Sequence, residues 1–570
     1  MEYFLKTFFH IAARFLGVFC TLFFIFFALS SIAAPRSSEN TAERMLKEER
    51  LKRERELFEK QSGSEARPIE IPERNTAEEC IPISKIDFQG NTKLSANDLD
   101  ILFSPHLQRG CVSATDIRSL LISITNLYME RGFITTRVYF KRTGFLDGTL
   151  TLFAVEGKIA KIEINPDEKD FFSFRNLLSE YTAFPRREGQ VLNLKDIEQG
   201  IDQMQRLASV KAKARIEPGE IEGTTNIRID KTSNDALRGS FSYDNYGGRE
   251  TGEARYKAIL EADDPLALND SWFLSYIGSK NTNALAGSSS FPIGYWTNRF
   301  DYSYSEYLMS LDNGLDLFGS GYSASYTADR LLYRDKKNKL SAYGTLSKKQ
   351  SRRIQNEFEF RPQPLTVARL GGKLFKRGNN FTLYSDAAFA QGLDLFDATK
   401  DDDFLSKEAP HAQFKKIDGT ADFSLAIKPV GTFRTQAEWQ YSFDTLYGAE
   451  QVSVGGPETV RGFSGDGITG DVGGSLRNSL YLAWPDAIKN QTILQSLTNP
   501  FSPYVFTDLG AARAQTMKHY DSIVGAGAGV SFSVGRFIGD ISVSRPIYKS
   551  DDVLTENGVV VYISLLAKAF

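Results

Sequence analysis

Four hydrophobic patterns follow one another along the chain. From Phe15 to Leu29 an apolar run is broken only by Thr21, behind a basic stretch holding Lys6, His10 and Arg14. Ser31-Ile32-Ala33 then supplies small residues where a signal peptidase reads. The run falls short of the ~20 residues a membrane helix requires, which favours a cleaved leader over 1–33 against a transmembrane anchor. No later apolar run approaches that length, so any further membrane segment must be a β-strand.

The second pattern is almost wholly charged. Residues 39–60 (ENTAERMLKEERLKRERELFEK) have high helix propensity, with Ser38 or Asn40 available as a cap. Met45, Leu46, Leu51, Leu57 and Phe58 make a stripe too thin for a core. Two readings stay open: a solvated helix laced with i,i+4 ion pairs, or a helix in a polar, water-filled cavity that welcomes charge on every face. Residues 61–79, with Pro68 and Pro72, lose all periodicity and read as an extended linker.

The third pattern is globular and occurs twice. Ile83 to Gln89 alternates as a strand; Ser95 caps a short helix holding Leu99, Ile101 and Leu102. A longer helix follows from near Thr115, with Ile117, Leu120, Leu121, Ile124, Leu127 and Tyr128 on one face and Gly132 as its stop. Strands over Thr135 to Lys141 and Thr149 to Val155 complete a β-α-α-β-β order. The second copy has a strand at Ile159 to Ile164, helices over 171–180 and around Leu194 to Leu207, and strands at Val210 to Glu217 and Thr224 to Asp230. Such a unit leaves a sheet edge open, which can serve as a plain spacer or pair with an extended, unfolded client.

From about Arg238 the helical period vanishes and short alternating segments recur to the end. Trp272, Leu274 and Tyr276 face one way, with Phe273, Ser275 and Ile277 opposite; Phe300, Tyr302 and Tyr304 alternate with acidic and small residues. A membrane barrel strand needs about 9–11 residues. The last stretch of roughly 330 residues therefore allows about 16 antiparallel strands, with 14 or 18 also within range. The competing architecture is a soluble β-sandwich array. Only 41% of the 570 residues are hydrophobic, too few for a membrane helix bundle but suited to a barrel that hides them at alternate positions.

Charge and candidate chemistry narrow the function. Lys and Arg number 68 against 71 acidic residues, so no basic field argues for nucleic acid. Removal of the leader takes Cys20 with it and leaves Cys80 and Cys111, an even count in an oxidising compartment. A crosslink between them would tie the start of the first unit to its helical region. His106, His411 and His519 share no metal-ligand spacing, and no G-x-S-x-G is present. Gly465-Asp466-Gly467-Ile468-Thr469-Gly470 matches G-x-G-x-x-G, but no helix follows and its aspartate would repel phosphate. No enzyme, metal or cofactor is expected. One loop stands out: Gly455 to Gly467 is too glycine-rich for a helix, longer than a hairpin needs, and centred on Arg461, whose permanent charge must find a carboxylate if the loop folds inward.

Several motifs resemble the haemolysin-activator family of two-partner secretion transporters, in the Omp85 superfamily. In the first unit these are Arg109-Gly110-Cys111, Thr125-Asn126-Leu127-Tyr128, Glu130-Arg131-Gly132-Phe133, Gly148-Thr149-Leu150 and Val155-Glu156-Gly157. In the second unit Leu192-Asn193-Leu194-Lys195-Asp196-Ile197 is similar; Lys141-Arg142-Thr143-Gly144 departs from the family turn. Further matches are Asp263 to Asp270, Phe291 to Trp296, Val460-Arg461-Gly462-Phe463, and Phe506-Thr507-Asp508-Leu509-Gly510. The terminal Phe570 is similar to the signature by which outer-membrane barrels are assembled.

The resemblance implies an order of domains: leader 1–33, plug helix 34–60, linker 61–79, POTRA units at 80–156 and 157–232, and a transmembrane barrel over 233–570. An inward-folded loop would lie near 453–475. The barrel would sit in the outer membrane with the POTRA units in the periplasm. They would capture an exoprotein by its N-terminal secretion domain and thread it to the cell surface; outer-membrane lipid and the barrel-assembly machinery would be the other partners. Arg461 would pair with Asp508 inside the lumen. The alternative is an outer-membrane assembly factor of the Omp85 type.

Overall fold

The computed structural model describes residues 42–44, 46–47, 49–50, 53–54, 69–70 and 79–569, apart from 166–170, 250, 311–315, 357, 464–466, 485–499, 552 and 554–557. The predicted leader, most of the linker and Phe570 lie outside the described residues.

The first small unit folds because local signals agree. Ser95 caps the helix Ala96–Arg109 by accepting the Asp98 N–H, while the Asp98 side chain accepts from the Ser95 backbone; left-handed Gly110 ends it. Ser113 and Asp116 repeat the device on Ala114–Glu130. Both helices cover a three-stranded sheet in which Thr149–Val155 lies between parallel Lys85–Gln89 and antiparallel Arg137–Leu146. Leu120, Ile124, Tyr128, Leu150 and Leu152 form the sealed core. Cys80 and Cys111 are disulfide-bonded beside the short ladder of Ile81–Pro82 with Cys111–Val112.

The strand expected to stop at Lys141 instead runs on to Leu146, with the ladder slipping between Phe140 and Phe145. The turn is made directly after it by Asp147 (φ 50°) and Gly148 (φ 71°). An Asp-Gly pair accepts positive φ at both positions, which a two-residue hairpin turn demands.

The second unit repeats the plan, with Thr224–Ser233 between Lys158–Ile164 and Val210–Pro218, under helices Phe171–Ala183 and Leu194–Gln205. It is fixed to the barrel through polar side chains. Gln199 and Gln203 donate to the Gly294 carbonyl. Arg206 reaches Ser290 and the Asn269 carbonyl, and Asn269, fully buried, bonds Ser179 and Thr182. Arg334 pairs with Asp202 at 2.7 Å, and Lys231 with Asp264 at 2.7 Å. The two stretches Asp263 to Asp270 and Phe291 to Trp296 are thus the turns at one end of the barrel that hold this unit.

The rest is a closed antiparallel barrel of 16 strands, from Leu237–Asp244 to Val560–Lys568, with Phe358–Glu359 extending one hairpin. Closure runs from Ser564 opposite Asp244 to Lys568 opposite Ser240. The two-residue period decides which side chains meet lipid: Leu274, Tyr276, Phe300, Leu346 and Leu370 are exposed outward, while Phe273, Ser275, Ile277, Ser303 and Ser305 are buried inward. No described helix is long and apolar enough to cross a membrane.

Candidate functional site

Two elements occupy the lumen. The first is the charged N-terminal segment, helical at its described positions between 42 and 54. Its only apolar anchorage among the described residues is Ala42, with Leu46, against Ile277, Ala284 and Ala286. Charge does the rest. Glu43 meets Lys349 at 3.1 Å, Arg50 meets Asp386 at 3.9 Å and Glu54 meets Lys373 at 2.7 Å. Lys47 pairs with Glu438 and Arg53 with Glu261. These partners stand on five different strands, so charge on every face of the helix finds a wall. Of the two readings left open by its composition, the helix in a polar cavity is the one observed.

The second occupant is the loop between the short paired strands Val452–Val454 and Ile468–Gly470. Arg461 lies at its inward end, 2% exposed, against Asp508 at 0%. The guanidinium grips the carboxylate with both forks, Nε to Oδ2 at 2.6 Å and Nη2 to Oδ1 at 2.8 Å, and the Arg461 backbone N–H adds a third bond at 3.1 Å. Nη2 also donates to Ser479 Oγ at 3.0 Å. The Phe506 ring lies 3.5 Å from the guanidinium carbon, a cation–π contact. Val460 and Phe463, both fully buried, join Val454, Ala512 and Ile523 in an apolar cluster.

Glycines make the approach possible. A Cβ at Gly510 would stand 2.1 Å from Val454 Cγ1, and one at Gly525 would stand 1.8 Å from the Arg461 carbonyl oxygen. Gly462 holds φ at 107°, and its N–H reaches the Tyr562 hydroxyl at 3.4 Å.

One cluster joins the two occupants. Lys349 bonds Glu43 of the helix and Glu450 at the base of the loop, each at 3.1 Å, and Glu450 also meets Lys416 at 2.7 Å. An open cavity of about 750 Å³ remains beside the helix, lined among others by Arg44, Arg299, Glu438 and Glu458. Below the membrane, burial and the neighbouring Glu188 and Glu163 push the Glu180 carboxyl up to about 7.

A barrel with two POTRA-like units and a lumen so occupied has known counterparts. The family described as haemolysin secretion/activation protein ShlB/FhaC/HecB matches residues 223–532, over half of the chain. The chain belongs to this family. The ShlB-type POTRA domain matches 81–157, and a second POTRA domain matches 158–218. The outer membrane transporter CdiB of Dickeya dadantii (strain 3937) is 29% identical over 420 residues, covering 71% of this chain and 73% of the relative. The hemolysin transporter protein ShlB of Serratia marcescens is 29% identical over 504 residues, 85% of each. The solved structure of CdiB from Escherichia coli superposes with a TM-score of 0.78 at 25% identity, over 94% of this chain and 100% of that one.

The protein is therefore an outer-membrane transporter of two-partner secretion, its barrel in the outer membrane and its POTRA units in the periplasm. The family match favours this over an Omp85-type assembly factor. Within this ShlB/FhaC/HecB member, Val460, Arg461, Gly462, Phe463, Phe506, Asp508 and Gly510 meet at one spot on the lumen wall. Cys80 and Cys111 sit apart, in the first POTRA unit. Sequence reasoning missed Ser479, Gly525, Tyr562 and the Lys349–Glu450–Lys416 cluster. None has a local pattern: each is an ordinary strand or loop residue whose role arises from strands brought together by barrel closure.

Proposed function

We propose that the charged helix is a removable plug and the Val460 to Phe463 loop a fixed internal strut of the same secretion pore. The client is an exoprotein with an N-terminal secretion domain. It adds to an exposed POTRA edge, for which Lys85–Gln89, Arg137–Leu146 and Val210–Pro218 are available. The plug leaves on its linker, residues 61–79, and the client threads outward unfolded along the lumen. The chain is a conduit without a chemical step of its own. Outer-membrane lipid surrounds the barrel, and the barrel-assembly machinery would read the terminal Phe570.

Arg461 keeps the loop against the wall while cargo passes. A lysine there would lose the two-pronged grip that matches a carboxylate. The Cys80–Cys111 bond holds the first POTRA unit together where two helices and a small sheet bury little surface.

The observation that carries this reading is a helix inside a membrane barrel, held mainly by ion pairs rather than by apolar packing. The test is single-channel conductance in planar bilayers after deletion of residues 39–60. A raised conductance is expected; an unchanged one rejects the plug.

A further inference from the structure

The outer wall of the barrel carries a recess that export does not explain. One outward-facing row runs across five strands: Leu274 opposite Gly287, Gly287 opposite Tyr302, Tyr302 opposite Ala324, and Ala324 opposite Lys348. Gly287 and Ala324 are the small members of this row, and the row beneath them is large, with Phe300 against Tyr326 at 4.9 Å between ring centres and Leu346 beside it. The missing side chains leave a cavity of about 560 Å³ open to the lipid side.

At one end of this apolar recess stands a cation. Lys348 is ten positions up its strand from Asn338 at the periplasmic turn, which at ~3.4 Å per residue and ~40° tilt places it about 26 Å higher. That is the height of a barrel's apolar band, ~25 Å, so the ammonium lies at the outer head-group level. Its Nζ donates to the Phe396 carbonyl at 2.6 Å. Among the described residues it pairs with no carboxylate. An ammonium has three donors; the Phe396 carbonyl takes one, and the others can serve an acceptor at the head-group level. Phe396 is 59% exposed, held at φ 56° by a loop whose Leu395 carbonyl accepts from Thr366. Its ring edges the same recess.

We infer that this recess binds one phosphorylated lipid of the outer leaflet, with an acyl chain over Gly287 and Ala324 and its phosphate on the Lys348 ammonium. The recess is continuous with the surface the barrel already gives to lipid. The Phe396 carbonyl orients the ammonium, and the Phe396 ring covers the head-group end of the chain.

The test is native mass spectrometry of the full-length transporter in detergent, with diphosphorylated lipid A as the probe. The unaltered protein is expected to retain one lipid A. Lys348→Gln should lower retention roughly tenfold, the loss of one charge-assisted contact, and Lys348→Arg should keep it. Gly287→Leu should abolish retention by filling the recess. A Cβ at 287 meets nothing closer than 3.8 Å, so that barrel can still fold, and heat-modifiable gel mobility checks each variant. Equal retention by the unaltered protein, Lys348→Gln and Gly287→Leu overturns the proposal. So does equal retention of a dephosphorylated lipid of the same acyl number, or a recess filled by a second copy of the chain.

Discussion

The helix and the loop share one lumen and are held in opposite ways. The helix keeps several of its ion pairs partly wet: side chains of Lys47 and Glu438 are 33% and 42% exposed, and those of Lys349 and Glu43 20% and 30%, while the wall partners of Arg50 and Glu54, Asp386 and Lys373, are 2% and 5% exposed. Wet pairs of this kind contribute about 0–1 kcal/mol each and weaken with salt. Arg461 and Asp508 are 3% and 0% exposed, with both carboxylate oxygens engaged by Nε and Nη2. Removing one partner of such a pair costs about 3–5 kcal/mol, because the other charge stays buried alone. Many weak, solvated contacts can be lost one at a time; one dry, bidentate contact cannot. On the proposed reading, burial, rather than the number of charges, would separate a part that can leave from a part that stays.

The largest expected effect tests the fixed part. Arg461→Ala should leave the barrel in the outer membrane and abolish export, measured as exoprotein at the cell surface. Normal export would mean the loop needs no anchor. Asp508→Ala should behave alike, and combining the two should cost less than the sum of the singles, since neither then strands a buried charge.

A smaller effect should come from the removable part. Raising salt from 0.1 M to 1 M shortens the screening length from about 10 Å to about 3 Å. Open time in planar bilayers should rise with salt in the intact protein and stay constant after deletion of 39–60. A salt response that survives the deletion would assign the gating to something else.

Lys349 tests whether the two occupants communicate. Lys349→Gln removes the shared partner of Glu43 and Glu450. It should raise open probability by a factor of roughly 5–10, about 1 kcal/mol. Lys416→Gln, which touches Glu450 and not the helix, should raise it less.

The smallest effect lies outside the lumen and serves as the contrast. The Glu180 carboxyl stands at about 7 in the folded second POTRA unit, above its ordinary 4.5. A raised carboxyl favours the protonated fold, so stability is full below about 4.5 and declines as pH rises through about 7. Hydrogen exchange over helix Phe171–Ala183, corrected for intrinsic rates, should speed up between pH 5 and pH 8. Glu180→Gln should flatten that response while leaving export intact.

Much of this was legible in the sequence where the physics is local. Ile117 to Tyr128 follow a helical period because one face is buried; Trp272 to Ile277 alternate because lipid lies on one side and the lumen on the other. Asp147-Gly148 carries a local hairpin signal of its own, beside the stretch Lys141-Arg142-Thr143-Gly144 that departs from the family turn. The meeting of Arg461 with Asp508 was legible only through a motif shared with a family. A residue cannot announce a partner 47 positions away. Ser479, Gly525 and Asn269 were illegible for the same reason. A glycine demanded by a carbonyl from another strand looks like any other strand glycine, and a buried asparagine that fastens two domains looks like a turn.

The fastening itself has a geometric consequence. Gln203 and Arg206 of the second POTRA unit line the same cavity as Arg50, Arg53 and Glu54 of the plug. The bolts run to turns on one flank of the barrel, Asp263 to Asp270, Phe291 to Trp296 and Arg334. The periplasmic mouth is therefore lopsided, roofed on one side and open on the other. On the proposed reading, a polypeptide handed up along helix Leu194–Gln205 would arrive off-axis, at the foot of the charged helix, and would meet first the ion pairs that hold that helix in the lumen.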